Sequence, residues 1–461
     1  MSDLFASLSS ASRALEAQRY GLDVTGQNIA NVNTPGYTRR VVDFGAVPPE
    51  STRSAGRGVE VLGIRAQRDR LLERRLESEI SGSHREASLA GALGNVETSL
   101  GSAGRTIDAR LTEFFDSFAR LADDPTSSVA RRDVLQQGQS LAAAFRETSN
   151  RLAQSRTDAD RQVVATVDQI NSLADRIATL NRSLGATNDN GTRLHLQDEQ
   201  ATLVRQLAEL TDINIVERED GGVDVDIAAG RALVVGQTAV ALTTSANSSG
   251  QHAISSGGVD VTSQFTGGRI GGLLQARDVN IPSYQSRLDD QAFALAGAVN
   301  TIHSAGNDLN GNTGQAFFAF TTAPVGTAGA ARALTVDPAV VADVSRIAAA
   351  QGALPGDNRT ARALADVRDA RVLDGGTATL TEGWSQLVYQ VGRDVQIARS
   401  EQGVREDVVA QAEALRDQVS GVSLDEEAMQ LMKFQRAYEA SARFFRVIDQ
   451  TLDVLFSTVA R

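Results

Sequence analysis

The side chains that could bind a metal ion or transfer a proton are scattered along this 461-residue chain. None of its histidines has the H-E-x-x-H spacing, or another spacing, that directs two ligands to one metal ion; they are His84, His195, His252 and His303. Cysteine is absent, which excludes disulfide bonds and thiolate chemistry. Because no nucleophile stands in a pattern with a general base, we predict that the chain is not an enzyme and binds no metal or cofactor.

Two short segments match ligand-binding loops in part. Residues 308–312 have the Asp-x-Asn-x-Asn pattern that opens a calcium loop, but Thr313 and Ala319 occupy the positions where an EF-hand has glycine and glutamate. We therefore interpret this segment as a tight turn. The glycine-rich segment 267–272 lacks the Gly-Lys-Ser/Thr ending of a phosphate-binding P-loop. Its glycines are predicted to allow close backbone packing or a change of chain direction.

The most regular pattern is a heptad repeat of apolar residues near each end of the chain. The N-terminal row is Leu8, Leu15, Leu22 and Ile29. The C-terminal row is Leu424, Leu431, Tyr438, Phe445 and Leu452, and a second row contains Phe434, Ile448 and Leu455. Such spacing keeps the row on one side of an α-helix, where it needs a partner helix. We predict that the two terminal helices pack against each other, within one subunit or between neighbours.

Both terminal helices have recognisable boundaries. The first is predicted to end at residues 33–36, Asn-Thr-Pro-Gly, because proline and glycine disfavour continuation of a helix. The last is predicted to begin at Ser423, which is spaced to form a capping box with Glu426. We interpret Glu426 and Glu427 as favourable charges near the positive end of the dipole of that helix.

Between the ends, the pattern changes from helical to β-rich and back. Strict alternation of apolar residues in 213–265, on both sides of an Asp-Gly-Gly sequence at 220–222, indicates a β-hairpin. Pro282 is interpreted as lying near the start of a helix. Helical patterns cover about 66–211, 281–304 and 380–459, and looser alternation over 37–65 indicates extended structure and loop. The sequence therefore predicts a mainly α-helical protein with an inserted β-rich module, an α+β arrangement.

Charge and hydropathy argue against two classes of partner. The formal net charge is −12 and Lys433 is the only lysine, whereas a general nucleic-acid binder needs clustered basic residues. No run approaches the ~18 consecutive apolar residues that can span a bilayer. No charged segment followed by an apolar stretch marks a cleavable signal near the N-terminus. By sequence chemistry alone we predict a cytoplasmic protein that binds no nucleic acid and inserts into no membrane.

The segment that follows the first heptad helix resembles the N-terminal signature of flagellar rod, hook and hook-associated axial proteins. It consists of Ala30, Asn31, Val32, Asn33, Thr34, Pro35, Gly36 and Tyr37. Residues 420–442 are similar to the C-terminal signature of the same class, and the Leu-Asp-Glu-Glu form at 424–427 is especially similar to the hook-associated protein 1 family. A central block extends this similarity through 271–278, 281–284, 288–289, 299–303 and 306–311.

The resemblance implies a structural adaptor subunit of the bacterial flagellum that polymerises at the hook tip and joins the hook to the filament. The implied partners are further copies of the chain in a ring, the hook protein, the next hook-associated junction protein, an export chaperone and the flagellar type III export apparatus. The implied location is extracellular, at the hook–filament junction, after export without a cleaved signal. This implication replaces the cytoplasmic prediction.

The resemblance also implies a discontinuous multidomain fold. The paired terminal helices would form an inner coiled-coil domain, the middle helices a rod domain, and the β-rich module a solvent-facing domain. The expected boundaries are 1–36 and 423–461 for the inner domain, 37–212, 266–320 and 380–422 for the rod domain, 213–265 for the β-rich insertion, and 321–379 for a second, loop-rich excursion.

Other functions stay open at this point. A hook or distal-rod subunit would share the N-terminal signature, but the central block and the long intervening helices favour the junction class. A soluble enzyme with a site in the β insertion is a different class, and no residue constellation supports it. An adhesin-like surface role of the outer module could coexist with a role at the junction.

Overall fold

The computed structural model describes residues 2–48, 57–101, 106–227, 229–352, 354 and 356–459. The helices are α1 (Ser2–Ala30), α2 (Arg70–Leu100), α3 (Ile107–Asp123), α4 (Ser128–Ala186), α5 (Asn190–Leu210), α6 (Gly268–Gln275), α7 (Ile281–Ala305), α8 (Ala330–Ala333), α9 (Pro338–Ala342), α10 (Arg359–Asp366), α11 (Leu380–Ser420) and α12 (Leu424–Val459). The strands are β1 (Arg40–Ala46), β2 (Val59–Ala66), β3 (Ile213–Glu217), β4 (Val223–Ile227), β5 (Arg231–Val235), β6 (Thr238–Ala239), β7 (Leu242–Ala246), β8 (His252–Ser256), β9 (Val259–Asp260), β10 (Phe318–Phe320) and β11 (Leu334–Val336). The predicted order of helices, inserted β structure and helices is confirmed.

The two terminal helices pack against each other within one subunit. Ala11 of α1 lies in a buried cluster with Ile448 and Leu452 of α12, and the partly buried residues around it are Leu4, Leu8 and Phe445. Further along α1, the ring of Phe434 lies so close to Gly21 that an added Cβ would be 2.7 Å from it. The predicted pairing of the first and last helices is therefore confirmed.

The start of α12 and the start of α11 are both capped. The backbone N–H of Glu426 donates to Oγ of Ser423 at 3.4 Å, which is the first half of the predicted capping box. A complete capping box opens α11: the N–H of Glu382 donates to Oγ1 of Thr379 at 3.2 Å, and the N–H of Thr379 donates to the Glu382 carboxylate at 2.8 Å. These bonds satisfy N–H groups that have no partner within the helix.

The largest hydrophobic core lies among α2, α3, α4, α7 and α11. An aromatic cluster occupies part of it, and the ring centre of Phe114 is 5.3 to 5.4 Å from those of Phe115, Phe118, Phe317 and Phe318. Tilted and edge-to-face arrangements at this separation are favourable for aromatic rings. Gly138 of α4 faces the cluster, where an added Cβ would lie 2.7 Å from the Phe317 ring.

The β-rich insertion consists of two antiparallel sheets, with strand orders β3-β4-β5-β6 and β7-β8-β9. Their buried side chains share one cluster with residues of α4, α5 and α6. The predicted hairpin is confirmed as β3 and β4, in which Ile213 pairs with Ile227 and Gly221 adopts a φ of +84° at the turn. Asn181 of α4 holds the start of β4, because it accepts from the N–H of Val223 at 3.0 Å and donates to its carbonyl at 2.7 Å.

α7 begins at Ile281 and has Pro282 in its first turn, so the predicted start at about residue 281 is confirmed. The sequence did not reveal that α7 continues from α6. A π-helical turn at Ala276–Asn280 joins the two with helical backbone angles. Proline has no backbone N–H, and a π-helical turn immediately before it changes the hydrogen-bonding pattern so that the helix can continue.

The glycine-rich segment 267–272 packs tightly against neighbouring backbone, as predicted. Gly268 has a φ of +61°, and an added Cβ would lie 2.2 Å from the backbone nitrogen of Thr211. At Gly272 an added Cβ would lie 2.1 Å from the carbonyl oxygen of Arg85 in α2. Both positions therefore require glycine for the approach of α6 to α5 and α2.

The segment 321–379 contains more regular structure than the loop-rich excursion that the sequence suggested. It includes β11, which pairs antiparallel with β10 through Leu334 and Phe320, and the short helices α8, α9 and α10. Its buried residues belong to the same core as α3 and α4; they include Ala330, Leu334, Val340, Ile347 and Leu364. Short elements rich in alanine and valine give weak periodicity, which is why the sequence concealed their burial.

Candidate functional site

Asn28, near the end of α1, is the centre of a buried hydrogen-bond network. Its Oδ1 accepts from the Tyr37 hydroxyl at 2.9 Å and from the N–H of Arg40 at 3.0 Å. Its Nδ2 donates to the carbonyl of Arg40 at 2.9 Å and to Oε2 of Glu427 at 3.0 Å. All the hydrogen-bonding capacity of this amide is therefore used to join the segment after α1 to the first turn of α12.

Glu427 completes the network from α12. It is buried, with 2% of its surface exposed, and its Oε1 accepts from Nε of Arg39 at 2.8 Å. Nη1 of Arg39 also donates to the exposed carboxylate of Glu426 at 2.8 Å. A buried carboxylate needs such pairing to offset the loss of hydration. We call Asn28, Tyr37, Arg39, Arg40 and Glu427 the terminal network.

The helix-dipole interpretation of Glu426 and Glu427 missed this ion pair. Arg39 and Glu427 are separated by 388 positions in the chain, so no local pattern relates them. The available signal was the pair of adjacent glutamates at the start of α12. Adjacent helix positions point in different directions, so one of the two glutamates can face the neighbouring helix and need a basic partner there.

The terminal network also contacts the rod helices through α5. Asp198 of α5 accepts from Arg40 at 3.4 Å and from Arg68 at 2.7 Å. The Arg40 guanidinium lies 5.0 Å from the centre of the Tyr37 ring, within the range of a cation–π contact. Burial raises the pKa of the Tyr37 hydroxyl, which therefore stays protonated and continues to donate to Asn28.

The rest of the segment 30–37 forms a surface turn that ends α1. Nδ2 of Asn31 donates to the carbonyl of Gln27 at 2.9 Å, and its Oδ1 accepts from the Thr34 hydroxyl at 3.1 Å. Gly36 has a φ of +80°, and an added Cβ would lie 2.5 Å from Oγ1 of Thr202 in α5. The exposed members of the segment are Ala30, Asn33, Thr34 and Pro35.

The predicted heptad residues differ in burial. Ile448 and Leu452 are buried; Leu8, Leu15, Leu22, Ile29, Leu431, Phe434, Phe445 and Leu455 are partly buried; Leu424 and Tyr438 are exposed. The structure brings Leu8, Phe445, Ile448 and Leu452 together, and it places the Phe434 ring 6.1 Å from that of Phe44 in β1. Packing within one subunit therefore leaves part of the surface of both heptad rows exposed to solvent.

The most deeply buried residues of α1 are smaller than the predicted leucine row. They include Ala11, Ala17, Gly21, Val24 and Asn28, which are separated by three or four positions from Ala17 onward. Small side chains at this spacing allow the partner helix to approach closely. Sequence reasoning placed Leu4 and Ala11 beside the leucine row but missed Ala17, Gly21, Val24 and Asn28, although their spacing was visible.

Two histidines have structural hydrogen bonds. His303 is fully buried; its Nδ1 bonds to the carbonyl of Gln315 at 2.5 Å, and its Nε2 accepts from the N–H of Ala348 at 2.9 Å. Burial lowers the pKa of His303 to about 4, so its ring is neutral near pH 7. His252, at the start of β8, has its Nδ1 atom 2.7 Å from Oδ2 of Asp160 in α4.

The calcium-like segment is a turn, as predicted. Oδ1 of Asp308 accepts from the N–H groups of Asn310 and Asn312, both at 2.8 Å. Among the residues that the structure describes, no group of three or more His, Cys, Asp or Glu side chains could hold a metal ion. In that same part of the chain, no helix is both long enough and apolar enough to cross a membrane.

Three family models match successive parts of the chain. The flagella basal body rod protein model matches residues 8–38, the flagellar hook-associated protein FlgK helical domain matches 93–318, and the flagellar basal body rod FlgEFG protein C-terminal model matches 416–458. Flagellar hook-associated protein 1 of Bacillus subtilis (strain 168) is 26% identical over 98% of this chain and 98% of its own length. Over nearly its whole length the chain is a homologue of flagellar hook-associated protein 1.

Another flagellar hook-associated protein 1 has a similar extent, and a solved structure shares the fold. The Escherichia coli (strain K12) protein is 23% identical over 98% of this chain and 99% of its own length. The solved structure of the flagellar hook junction protein FlgK from Burkholderia pseudomallei aligns with a TM-score of 0.67 at 17% identity, covering 75% of this chain and 100% of that chain. This alignment shows that the two share a fold. Asn28, Tyr37 and Glu427 lie within the two terminal matches to rod-protein models.

Proposed function

We propose that the chain is a structural subunit of the bacterial flagellum that polymerises at the hook tip and joins the hook to the filament. The observation that carries this proposal is the hydrogen bond between Asn28 and Glu427, which fixes both terminal signatures in one unit. The names of its relatives, flagellar hook-associated protein 1, support the location, and so does the description of the similar structure as a hook junction protein.

The outer face of α12 is the proposed contact with other subunits. Its exposed apolar residues are Leu424, Met429, Met432, Tyr438, Phe444, Val447 and Val454. Val447 and Val454 are one heptad apart, on a side of the helix different from that of the buried Ile448 and Leu452. Water disfavours a continuous apolar row, so association would cover it. Further copies in a ring, the hook protein and the next hook-associated junction protein are the proposed partners.

The partly buried N-terminal row supports the same proposal. Leu8, Leu15, Leu22 and Ile29 retain exposed surface after α12 has packed on α1. In this proposal, residues 1–36 and 423–461 form the inner domain, 213–265 face solvent, and the remaining helices form the rod. The signature segment 30–37 would set the angle between the inner domain and the rod, because Gly36 and Tyr37 contact α5 and α1.

The proposed location is outside the cell, at the hook–filament junction, after passage through the flagellar type III export apparatus. The exposed apolar face of α12 is a plausible binding surface for an export chaperone, since it would need cover before assembly. We infer a structural role without catalysis, because the polar side chains of the terminal network hold helices together.

Deletion of the gene tests the proposal directly. Electron microscopy should show hooks without attached filaments, with flagellin released into the medium. Normal filaments on the deletion strain would contradict the proposal. Loss of the hooks themselves would instead indicate a hook or distal-rod subunit.

A truncation that removes residues 424–461 should leave the rod helices folded and abolish incorporation at the hook tip. A finer test replaces Val447 by aspartate on the exposed face of α12, with Gln450→Asp as the matched exposed control. We expect V447D to fold and to lose incorporation while the control assembles. Equal assembly of both variants would show that the outer face of α12 is not a contact between subunits.

A further inference from the structure

The two methionines in the described part of the chain lie within one turn of α12. The sequence has three methionines and no cysteine, and the third methionine is Met1, which lies outside the described residues. Met429 is 59% exposed and Met432 is 51% exposed. Side chains three positions apart are neighbours on a helix surface. Among the residues that the structure describes, the sulfur atoms are therefore concentrated at one exposed place.

Both methionines lie on the face of α12 that turns away from α1. Phe434 packs over Gly21 of α1, and two helical steps of about 100° each place Met432 on nearly the opposite side. Met429 and Val447 are separated by a whole number of helical turns, so they lie on the same side of α12. The two thioethers therefore continue the exposed apolar face that includes Val447, for which the contact with other subunits is proposed.

A thioether in contact with solvent is open to oxidation by hydrogen peroxide. The sulfur lone pair attacks one peroxide oxygen, so that an S–O bond forms and the O–O bond breaks. The departing oxygen takes the proton of the attacked oxygen and leaves as water. The sulfur is oxidised by two electrons and the peroxide is reduced by the same two. The product, methionine sulfoxide, has a polar oxygen where the side chain was apolar.

Each of the two methionines is followed by a basic residue one helical turn later. Lys433 is four positions after Met429, Arg436 is four positions after Met432, and both basic residues are exposed. Side chains on a helix point toward its N-terminus, so a basic group at this spacing extends toward the methionine before it. A sulfoxide oxygen would accept hydrogen bonds from that group, whereas a thioether sulfur is a weak acceptor. Oxidation would therefore replace an apolar pair by a hydrogen-bonded polar cluster.

We propose that Met429 and Met432 form a modification site at which hydrogen peroxide oxidises the free subunit, and that the sulfoxides prevent the outer face of α12 from associating. Association would remove the sulfoxide oxygens from water, and burial of a polar group is unfavourable unless the group is paired. The effect on association rests on the proposed function, whereas the oxidation site does not.

The oxidation site is tested with the purified full-length chain and hydrogen peroxide. Mass spectrometry of peptides should show a gain of about 16 Da at both Met429 and Met432, and circular dichroism should show unchanged helix content. The rates should be within about threefold of those in the urea-unfolded chain, because both side chains are exposed. Rates at least about tenfold lower in the folded chain would show that the thioethers are shielded and would overturn the site.

The effect on association is tested with two matched double variants in the gene-deletion strain. Met429→Gln with Met432→Gln introduces polar side chains, as oxidation does, and Met429→Leu with Met432→Leu keeps both positions apolar. The glutamine variant should reduce the fraction of hooks that carry filaments by about tenfold, and the leucine variant should not. Circular dichroism of the purified proteins checks that both are folded. Full assembly by the glutamine variant, or an equal loss in the leucine variant, would overturn the effect on association.

Isolated hook–filament structures provide a second measurement. The same peroxide treatment should oxidise Met429 and Met432 at least about tenfold more slowly there than in the free chain, because association covers their sulfur atoms. Equal rates would show that this part of α12 stays uncovered and would overturn the effect on association. The gene deletion judges the proposed function separately. Hooks without filaments in the deletion strain, together with full assembly by the glutamine variant, would support the proposed function and contradict the effect on association.

Discussion

Asn28 and Glu427 lie 399 positions apart in the chain, and Nδ2 of Asn28 donates a buried hydrogen bond of 3.0 Å to Oε2 of Glu427. This bond connects the end of the first helix to the start of the last. A heptad row alone tolerates sliding by a whole repeat, because each apolar residue then meets an equivalent one. A buried polar pair has a partner in one register alone, so it selects the register at which the terminal helices meet.

Replacing Asn28 by alanine should therefore loosen the terminal helices. The variant leaves the Tyr37 hydroxyl, the Arg40 N–H and one Glu427 oxygen without their partner, at a cost of about 3 kcal/mol. Hydrogen exchange of the α1 amides is the suitable measurement, and protection there should fall while protection in α4 is unchanged. Exposed Asn33→Ala is the control, and similar exchange in both variants would contradict the role of Asn28.

Adjacent glutamates on α12 provide a second, matched test. Glu427→Gln should destabilise the α1–α12 pair by about 3 kcal/mol, because one end of the amide must point its N–H₂ at a donor, either Nδ2 of Asn28 or Nε of Arg39. Glu426 is 55% exposed and its pair with Arg39 is screened by water, so Glu426→Gln should cost under about 0.5 kcal/mol. Hydrogen exchange of α1 and α12 distinguishes the two, and equal effects would contradict the assignment.

Glycines in α1 should respond in opposite directions to substitution by alanine. At Gly21 a Cβ would lie 2.7 Å from two atoms of the Phe434 ring, and the clash should outweigh the gain in helix propensity by about 1 kcal/mol. At Gly26 no atom lies within 4 Å, so alanine should stabilise α1 by about 1 kcal/mol. Amide exchange along α1 measures both changes. Stabilisation by G21A would show that α12 does not approach α1 as closely as the structure has it.

The repeating patterns of the sequence were sufficient to predict the paired terminal helices and the hairpin at Gly221. Heptad spacing marks a helix that needs a partner, and alternation around glycine marks a two-strand turn, so both predictions rest on local periodicity. The same reasoning found only part of the contact surface of α1. It named the leucines, of which Leu8 packs against α12, but not Ala17 and Gly21, which are buried because small residues allow the close approach of α12.

Long-range partners explain most of what the sequence did not reveal. Nothing near Glu427 in the sequence specifies Arg39 or Asn28. Pro282 marked the start of α7 correctly, but the π-helical turn that joins α6 to α7 has no signal in the local sequence. Such features depend on how distant segments meet, and a single sequence does not encode those distances in a local pattern.

The buried His303 should make the stability of the rod helices depend on pH. Its folded pKa is about 4, because burial disfavours the charged ring, and its unfolded value is near 6.5. Protonation would also turn Nε2 into a donor facing the N–H of Ala348, from which it now accepts. Between pH 6.5 and 4 the unfolded chain holds a proton that the folded chain lacks, so the free energy of unfolding falls as the pH is lowered.

The full effect of His303 below pH 4 is about 3 kcal/mol, since each unit of pKa difference contributes about 1.4 kcal/mol. Urea denaturation followed by circular dichroism from pH 7.5 to 4.5 measures it. His303→Gln should be less stable at pH 7.5, because its hydrogen bonds are lost, and should then lose less stability on acidification than the native chain. The exposed His84→Gln serves as control and should follow the native profile. Parallel profiles for native and H303Q protein would mean that carboxylates elsewhere account for the acid sensitivity.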